Sequence, residues 1–373
     1  MILSPPVLIH LVAGARPNFM KIAPLYKALC AEPEYFRPQI VHTGQHYDAN
    51  MSETFFREFQ LPEPDLYLGV GSGSHGQQTA KVMTAYEEIC LRQPPQLTVV
   101  VGDVNSTMAC AITAKKLNLP VAHLEAGLRS RDRTMPEEIN RVITDTIADI
   151  LWTPSPDADD NLKREGVSEN RIRRVGNIMI DTLRMNETAV QSRKKYLEFG
   201  LKPKRYGVMT LHRPSNVDRR EPLETIVHAV RTCSEQLPIV FLIHPRTKHR
   251  LEEFGLWQDL ERCPNVHRAE PQGYADFLSL VLNSAFVVTD SGGIQEETTV
   301  LNIPCLTLRE NTERPITILQ GTNELVRADT LLNCLSGILS GKWKQGTVPD
   351  LWDGNTSARI VRHLKEIIAA SVS

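Results

Sequence analysis

Three acidic segments carry the residues best suited to moving protons. VVGDVNST (100–107) sets Asp103 just past an apolar run, and HLEAGLRS (123–130) does the same with Glu125. TMPEEINR (134–141) opens a helical stretch with Pro136, Glu137 and Glu138. Acids behind a proline at a helix start are commonly helix-dipole chemistry, so a structural reading of Glu137 stays open. Asp103 and Glu125 are harder to dismiss, because a charge at the end of a buried run costs energy without a partner or a task. Carboxyl groups gathered in one place push their pKa values apart and so supply an acid and a base at neutral pH.

A second set of residues suits an anion. In DSGGIQEE (290–297) a strand gives way to Ser291, Gly292 and Gly293 and then to a helix. Glycines let backbone N–H groups approach a phosphate, and the helix start adds favourable partial charge. A carboxylate further into that helix, Glu297, could accept ribose hydroxyls; the bland alternative is a tight turn with Ser291 as N-cap. GARPNFMKIAPL (14–25) is another strand-to-helix junction, and its Arg16 and Lys21 suit a diphosphate or simply flank a helix start. LHRPSN (211–216) and IHPRT (243–247) place His212 with Arg213, and His244 with Arg246, just past buried strands. One such histidine is usually structural, whereas two aimed at one cleft favour an anion or leaving-group role.

Two further patterns carry less. GSGSHG (71–76) has dinucleotide-site spacing, but its lead-in strand is short and no acidic residue ends a second strand about twenty residues on, so a nicotinamide site is not expected. His42 and His46 have i,i+4 spacing but flank Gly44, which argues against a helix and against a metal there.

The elements that must position these residues are short apolar runs without in–out alternation: 7–14, 97–103, 120–127, 206–213, 238–246 and 285–293. Such runs read as strands buried on both faces, the mark of parallel sheets. Helical stretches follow most of them, at 21–32, 107–117 and 294–301. The expected fold is α/β, with two Rossmann-like domains whose parallel sheets face a central cleft, and with 176–191 and the polar, charged 193–207 as the passage between the halves. Ligands of open parallel sheets bind outside the carboxyl ends of the strands, which is where Arg16, Asp103, Glu125, His212, His244 and Asp290 fall.

Composition narrows the partners. The 373 residues are 41% hydrophobic and 23% charged, with 42 basic against 44 acidic side chains, so no excess positive charge draws the chain to nucleic acid or a membrane surface. Seven scattered cysteines without CxxC spacing read as thiols in a reducing compartment, not as a disulfide framework or zinc site. No apolar run is long enough to cross a bilayer, and a soluble cytoplasmic protein is the expectation.

In chain order, GARPNFMKIAPL, VVGDVNST, HLEAGLRS, MPEEINR, VGNIMIDTL, LHRPSN, IHPRT, DSGGIQEET and LRENTERP (308–315) resemble the non-hydrolysing UDP-N-acetylglucosamine 2-epimerases. The resemblance runs from about residue 7 to the C-terminal helix. It implies a GT-B-type fold with domains at 1–175 and 176–354 and a last helix, about 355–373, crossing back to the first domain. It implies a homodimer acting on a UDP-sugar, with no metal and no other cofactor. It assigns Asp103, Glu125 and Glu137 to acid–base work and His212 to the departing diphosphate. Arg16, Lys21, Arg213, His244, Ser291, Gly292, Gly293, Glu297 and Arg314 would bind substrate, with Glu297 on the ribose. The implied reaction is reversible C2 epimerisation through a 2-acetamidoglucal, feeding a cell-surface polysaccharide.

Three positions depart from the pattern of well-known bacterial members. Asn18 and Ile316 stand where those have glutamate, and QHYDANM (45–51) replaces a segment associated with an activating second substrate molecule.

Overall fold

The computed structural model describes residues 3, 5–44, 56 and 58–372, so His46 and the QHYDANM segment lie outside the described residues. The chain divides into two compact units, Met1–Met185 with Asp350–Ser373, and Asn186–Pro349.

In the first unit the apolar runs form β1 (Val7–Ala13), β2 (Phe36–His42), β3 (Leu66–Tyr67), β4 (Leu97–Val101), β5 (Val121–Leu124), β6 (Ile150–Thr153) and β7 (Ile172–Arg174). Their order across the sheet is β3-β2-β1-β4-β5-β6-β7, and every pairing is parallel. The central strands β1, β4, β5 and β6 are buried at every residue, which explains why their sequences lack alternation. The second unit repeats the plan with β8 (Gly207–Leu211), β9 (Ile239–Ile243), β10 (Val266–Ala269), β11 (Phe286–Thr289), β12 (Cys305–Leu308) and β13 (Asn323–Val326). These run in the order β10-β9-β8-β11-β12-β13, again all parallel.

Strand order reverses between β1 and β4 in one sheet and between β8 and β11 in the other, the switch points at which open parallel sheets take ligands. Register decides which side chains meet beyond the strand ends. Val101 of β4 lies opposite Leu124 of β5, so Asp103 and Glu125 leave neighbouring strands together. Met209 lies opposite Val288, which brings His212 and Asp290 off β8 and β11 in the same way.

The first unit continues past residue 175 to Met185 and resumes at Asp350 rather than 355. Packing gives the reason. The helix Ile178–Met185 buries its apolar residues and packs on the helix Arg16–Cys30, and the Thr182 hydroxyl donates to the Met20 carbonyl at 2.6 Å. The indole of Trp352 donates to the Pro154 carbonyl at 2.9 Å, fixing the returning chain.

Asp181 ties down the final helix, Thr356–Val372. Its carboxylate accepts from the backbone N–H groups of Thr356 and Ser357 at 3.1 and 2.7 Å, and from the Ser357 hydroxyl at 2.8 Å. These donors belong to the first turn, which has no intrahelical partners for them. Asp181→Ala is therefore expected to lower stability by about 1–2 kcal/mol, read as a lower urea midpoint; an unchanged midpoint would deny the cap its role.

Candidate active site

In the first unit the site is built around Gly102, in the turn between β4 and Asp103. Gly102 has φ +66°, and a side chain there would approach the Lys21 ammonium to 3.2 Å, Glu125 Oε2 to 3.5 Å and Asn18 Nδ2 to 3.6 Å. Glycine supplies both the left-handed backbone and the room for three polar side chains. Glu125 itself has φ +71°. That conformation is unfavourable for a residue with a Cβ and persists only where the surrounding structure holds it. Lys21 is the buried ion-pair partner of Glu125. Asn18 accepts from the N–H groups of Gly14 and Ala15 at 3.2 and 3.0 Å and donates to the Val101 carbonyl at 2.9 Å. It thus fastens the start of the first helix to the end of β4.

The helix Pro136–Ile147 braces the same region. Arg141 donates to Asp103 Oδ2 at 2.6 Å and to Glu138 Oε2 at 2.8 Å. Asn140 donates to the Asp103 carbonyl at 2.8 Å. Glu138 is buried and accepts from the Ser130 and Arg131 backbone N–H groups, both at 2.9 Å, so it holds the loop after Glu125. Glu137 is half-buried one residue earlier on the first turn.

In the second unit His212 and Asp290 meet beyond β8 and β11. His212 Nδ1 is 2.8 Å from Asp290 Oδ1. The same carboxylate accepts from the backbone N–H groups of His212 and Arg213 and from the Asn216 amide, all at 2.8–3.1 Å. Burial alone would raise the Asp290 carboxyl; the His212 imidazole and these N–H donors outweigh it and hold it below the ordinary value. The His244 ring lies 6.0 Å from that of His212, centre to centre. His244 Nδ1 accepts from the Arg246 N–H at 3.2 Å, which leaves Nε2 as the donor. Burial, then the neighbouring His212, holds His244 below the ordinary histidine value. Its imidazole is thus a neutral donor above the strand ends.

Beside them the helix Gly292–Val300 begins, with Ser291 at its N-cap and no side-chain cap bond from that serine. A side chain at Gly292 would come within 2.8 Å of Glu313 Oε1 and 3.1 Å of the Arg314 guanidinium, so the helix start sits against a buried ionic group. Arg309 pairs with Glu313 at 2.8 Å, and Arg314 pairs with Glu313 at 2.6 Å and Glu296 at 2.7 Å. Glu297 is buried with Oε1 unbonded among the described residues. Burial chiefly, with the Glu296 charge beside it, pushes Glu297 up to about 8; the Tyr274 hydroxyl only partly offsets this.

The sign of the resulting pH dependence is fixed. Between about 4.5 and about 8 the folded chain keeps a proton on Glu297 that the unfolded chain gives up, so stability falls as pH rises through that window. Glu297→Gln is expected to remove this slope and to melt above the parent protein at pH 9. Identical melting curves at that pH would count against a buried, proton-holding carboxyl.

Most of the residues singled out in the sequence fall into these two groups. Asp103, Glu125 and Lys21 gather in the first unit with Glu137 on the adjoining helix; His212, Arg213, His244, Ser291, Gly292, Gly293, Glu297 and Arg314 occupy strand ends, loops and the helix start in the second. Arg16 opens the first helix, but its side chain lies outside the described residues. Two placements differ from the sequence reading. Lys21, read as a diphosphate cation, is paired with Glu125, and Arg314 is already paired with two carboxylates. Sequence reasoning passed over Arg141 and Asn140, whose signal was their spacing from Glu138 and Glu137 on one helix. Arg309 and Glu313 were also missed, though both lie in LRENTERP. Among the described residues no three histidine, cysteine or acidic side chains are grouped to hold a metal ion, and no helix is long and apolar enough to cross a membrane.

The family whose model matches the chain is described as UDP-N-acetylglucosamine 2-epimerase, over residues 27–365. A UDP-N-acetylglucosamine 2-epimerase of Methanocaldococcus jannaschii is 42% identical over 365 residues, covering 95% of this chain and 98% of the relative. A UDP-2,3-diacetamido-2,3-dideoxy-D-glucuronate 2-epimerase of Pseudomonas aeruginosa is 39% identical over 362 residues, covering 95% and 99%. The crystal structure of the M. jannaschii enzyme in complex with UDP-GlcNAc and UDP matches with a TM-score of 0.85, covering 96% of this chain and 99% of that one.

Proposed function

The chain belongs to the UDP-N-acetylglucosamine 2-epimerase family, and from that premise we propose that it interconverts UDP-N-acetylglucosamine and UDP-N-acetylmannosamine by eliminating UDP and adding it back. The observation that carries the reading is the pair of carboxylates at neighbouring strand ends, Asp103 against Arg141 and Glu125 against Lys21.

The proton on sugar C2 has no adjoining carbonyl and resists direct abstraction. Breaking the C1–O bond first builds oxocarbenium character at C1 and makes that proton removable. A carboxylate then takes it, leaving 2-acetamidoglucal and UDP. Protonation from the other face and re-addition of UDP invert C2. The proposal gives the acid–base steps to Asp103, Glu125 and Glu137. It gives the uridine diphosphate to the second unit. There His212, His244 and the N–H groups of Ser291, Gly292 and Gly293 stabilise the developing phosphate charge, and Glu297 meets the ribose. Arg16 adds a cation and Arg213 completes the binding set, while Arg314, paired with Glu296 and Glu313, braces the helix start.

In D₂O the reaction should place deuterium at C2 of both epimers, seen by NMR. Full turnover without label would eliminate the proton-abstraction route. Free N-acetylmannosamine accumulating with UDP would replace the reading with hydrolysing epimerisation.

A second reading keeps the chemistry and changes the sugar. Its support is the P. aeruginosa relative, named for a 2,3-diacetamido uronate and nearly as similar as the archaeal one. Turnover of a panel of UDP-sugars separates the two.

A further inference from the structure

Behind the carboxylates, and outside the roles assigned so far, lies a buried polar chain. His123 is the last residue but one of β5 and is wholly buried. Its Nδ1 is 2.6 Å from Asp145 Oδ1, and its Nε2 is 2.8 Å from the Gly102 carbonyl oxygen. Asp145, on the helix Pro136–Ile147, uses its other oxygen to accept the Gly127 N–H at 3.0 Å and the Arg129 guanidinium at 2.7 Å. Arg129 in turn binds Glu165 through two hydrogen bonds of 2.9 and 2.6 Å.

The partners of His123 decide its hydrogens. A carbonyl oxygen only accepts, so Nε2 must donate. Asp145 already accepts from an N–H and a guanidinium. Burial alone would raise its carboxyl, but His123 and Arg129 outweigh this and hold it below the ordinary range. It is therefore an acceptor towards Nδ1 as well. A neutral ring would set a bare nitrogen lone pair against an oxygen lone pair in a site without exposed atoms, which is costly. The charged groups around the ring are Asp145 on the helix, Arg129 on the loop after β5 and Glu165 beyond it. Lys21 and Glu125 approach Gly102 itself, whose carbonyl the ring meets: a side chain there would come within 3.2 Å of Lys21 Nζ and 3.5 Å of Glu125 Oε2.

We propose that His123 is a positioning residue that donates from both ring nitrogens, to the Gly102 carbonyl and to Asp145, and thereby seats Asp103 and Glu125 relative to each other. One bond fixes the peptide immediately before Asp103. The other, through Asp145, fixes Gly127, two residues beyond the strained Glu125. The helix that supplies Asp145 also supplies Arg141 to Asp103, so both catalytic turns are referred to one rigid element. Reactivity is steep in such placement, since a shift of about 1 Å can cost about 100-fold.

The proposal rests on the epimerase reading, and its test separates the two. In ¹⁵N-histidine-labelled, ligand-free enzyme, both ring nitrogens of His123 should show protonated shifts, assigned by their disappearance in His123→Asn. Asp145→Asn, whose amide can donate to Nδ1, should leave hydrogen on Nε2 alone. A parent ring with one bare nitrogen overturns the hydrogen-bond assignment whatever the enzyme catalyses. In His123→Asn, kcat should fall about 100-fold with KM and UDP affinity nearly unchanged, normalised to the folded fraction from near-UV circular dichroism. Parent-like kcat in the folded variant overturns the positioning role. Absence of C2 exchange in the parent enzyme sinks the epimerase reading alone.

Discussion

Asp103→Asn and Glu125→Gln are each expected to cut kcat on UDP-N-acetylglucosamine by about 10²- to 10⁴-fold, the usual range for losing a general acid or base. The UDP dissociation constant from calorimetry should stay unchanged. The separation follows from the site: both carboxylates belong to the first unit, whereas the groups proposed for uridine diphosphate, Arg16 excepted, belong to the second. Asp103→Asn is the cleaner variant. Its amide oxygen can still accept from Arg141, which keeps a second carboxylate, Glu138, at 2.8 Å. Lost UDP binding in that variant would move Asp103 from proton transfer to nucleotide binding or folding.

The fold was legible where burial is two-sided. β1, β4, β5, β9 and β11 are near-continuous apolar runs because they are buried at every residue, and β8 is buried at all but Thr210. β2 and β10, with FRPQIVH and VHRA, are partly exposed and carry charge, and β7 is the exposed edge strand IRR. Their pattern is indistinguishable from a loop until the neighbouring strand supplies its hydrogen bonds. The extent of the first unit is set by packing that no local pattern shows. NIMIDTL looks like a self-contained helix start, and only its docking on Arg16–Cys30 and on the returning C-terminal segment assigns it to that unit.

Within the site, the sequence revealed charges at strand ends but not their partners. A carboxylate after a buried run is conspicuous because its cost demands an explanation. Which cation answers it depends on helix packing. Arg141 reaches Asp103 across 38 positions of chain, and Lys21 reaches Glu125 across 104. Glycine 102 was similarly inconspicuous, being one of 21 glycines until its positive φ and three polar neighbours distinguished it.

Lys21→Met should have the largest effect on stability. Removing one member of a buried ion pair leaves the other charge without compensation, at a typical cost of about 3–5 kcal/mol. Both side chains are almost fully shielded, 9% and 3% exposed, so water cannot substitute for the missing ammonium. Glu125→Gln inverts the situation by stranding the ammonium, and it should destabilise too. The double variant Lys21→Met/Glu125→Gln removes both charges and should regain much of the stability lost by either single change. Activity should follow the opposite logic. If Glu125 moves the C2 proton, the double variant stays as inactive as Glu125→Gln, however well it folds. A thermal-melt and kcat comparison across the four proteins separates the two contributions. Additive losses of stability would show that Lys21 and Glu125 do not depend on each other, and recovered turnover in the double variant would remove Glu125 from the acid–base steps.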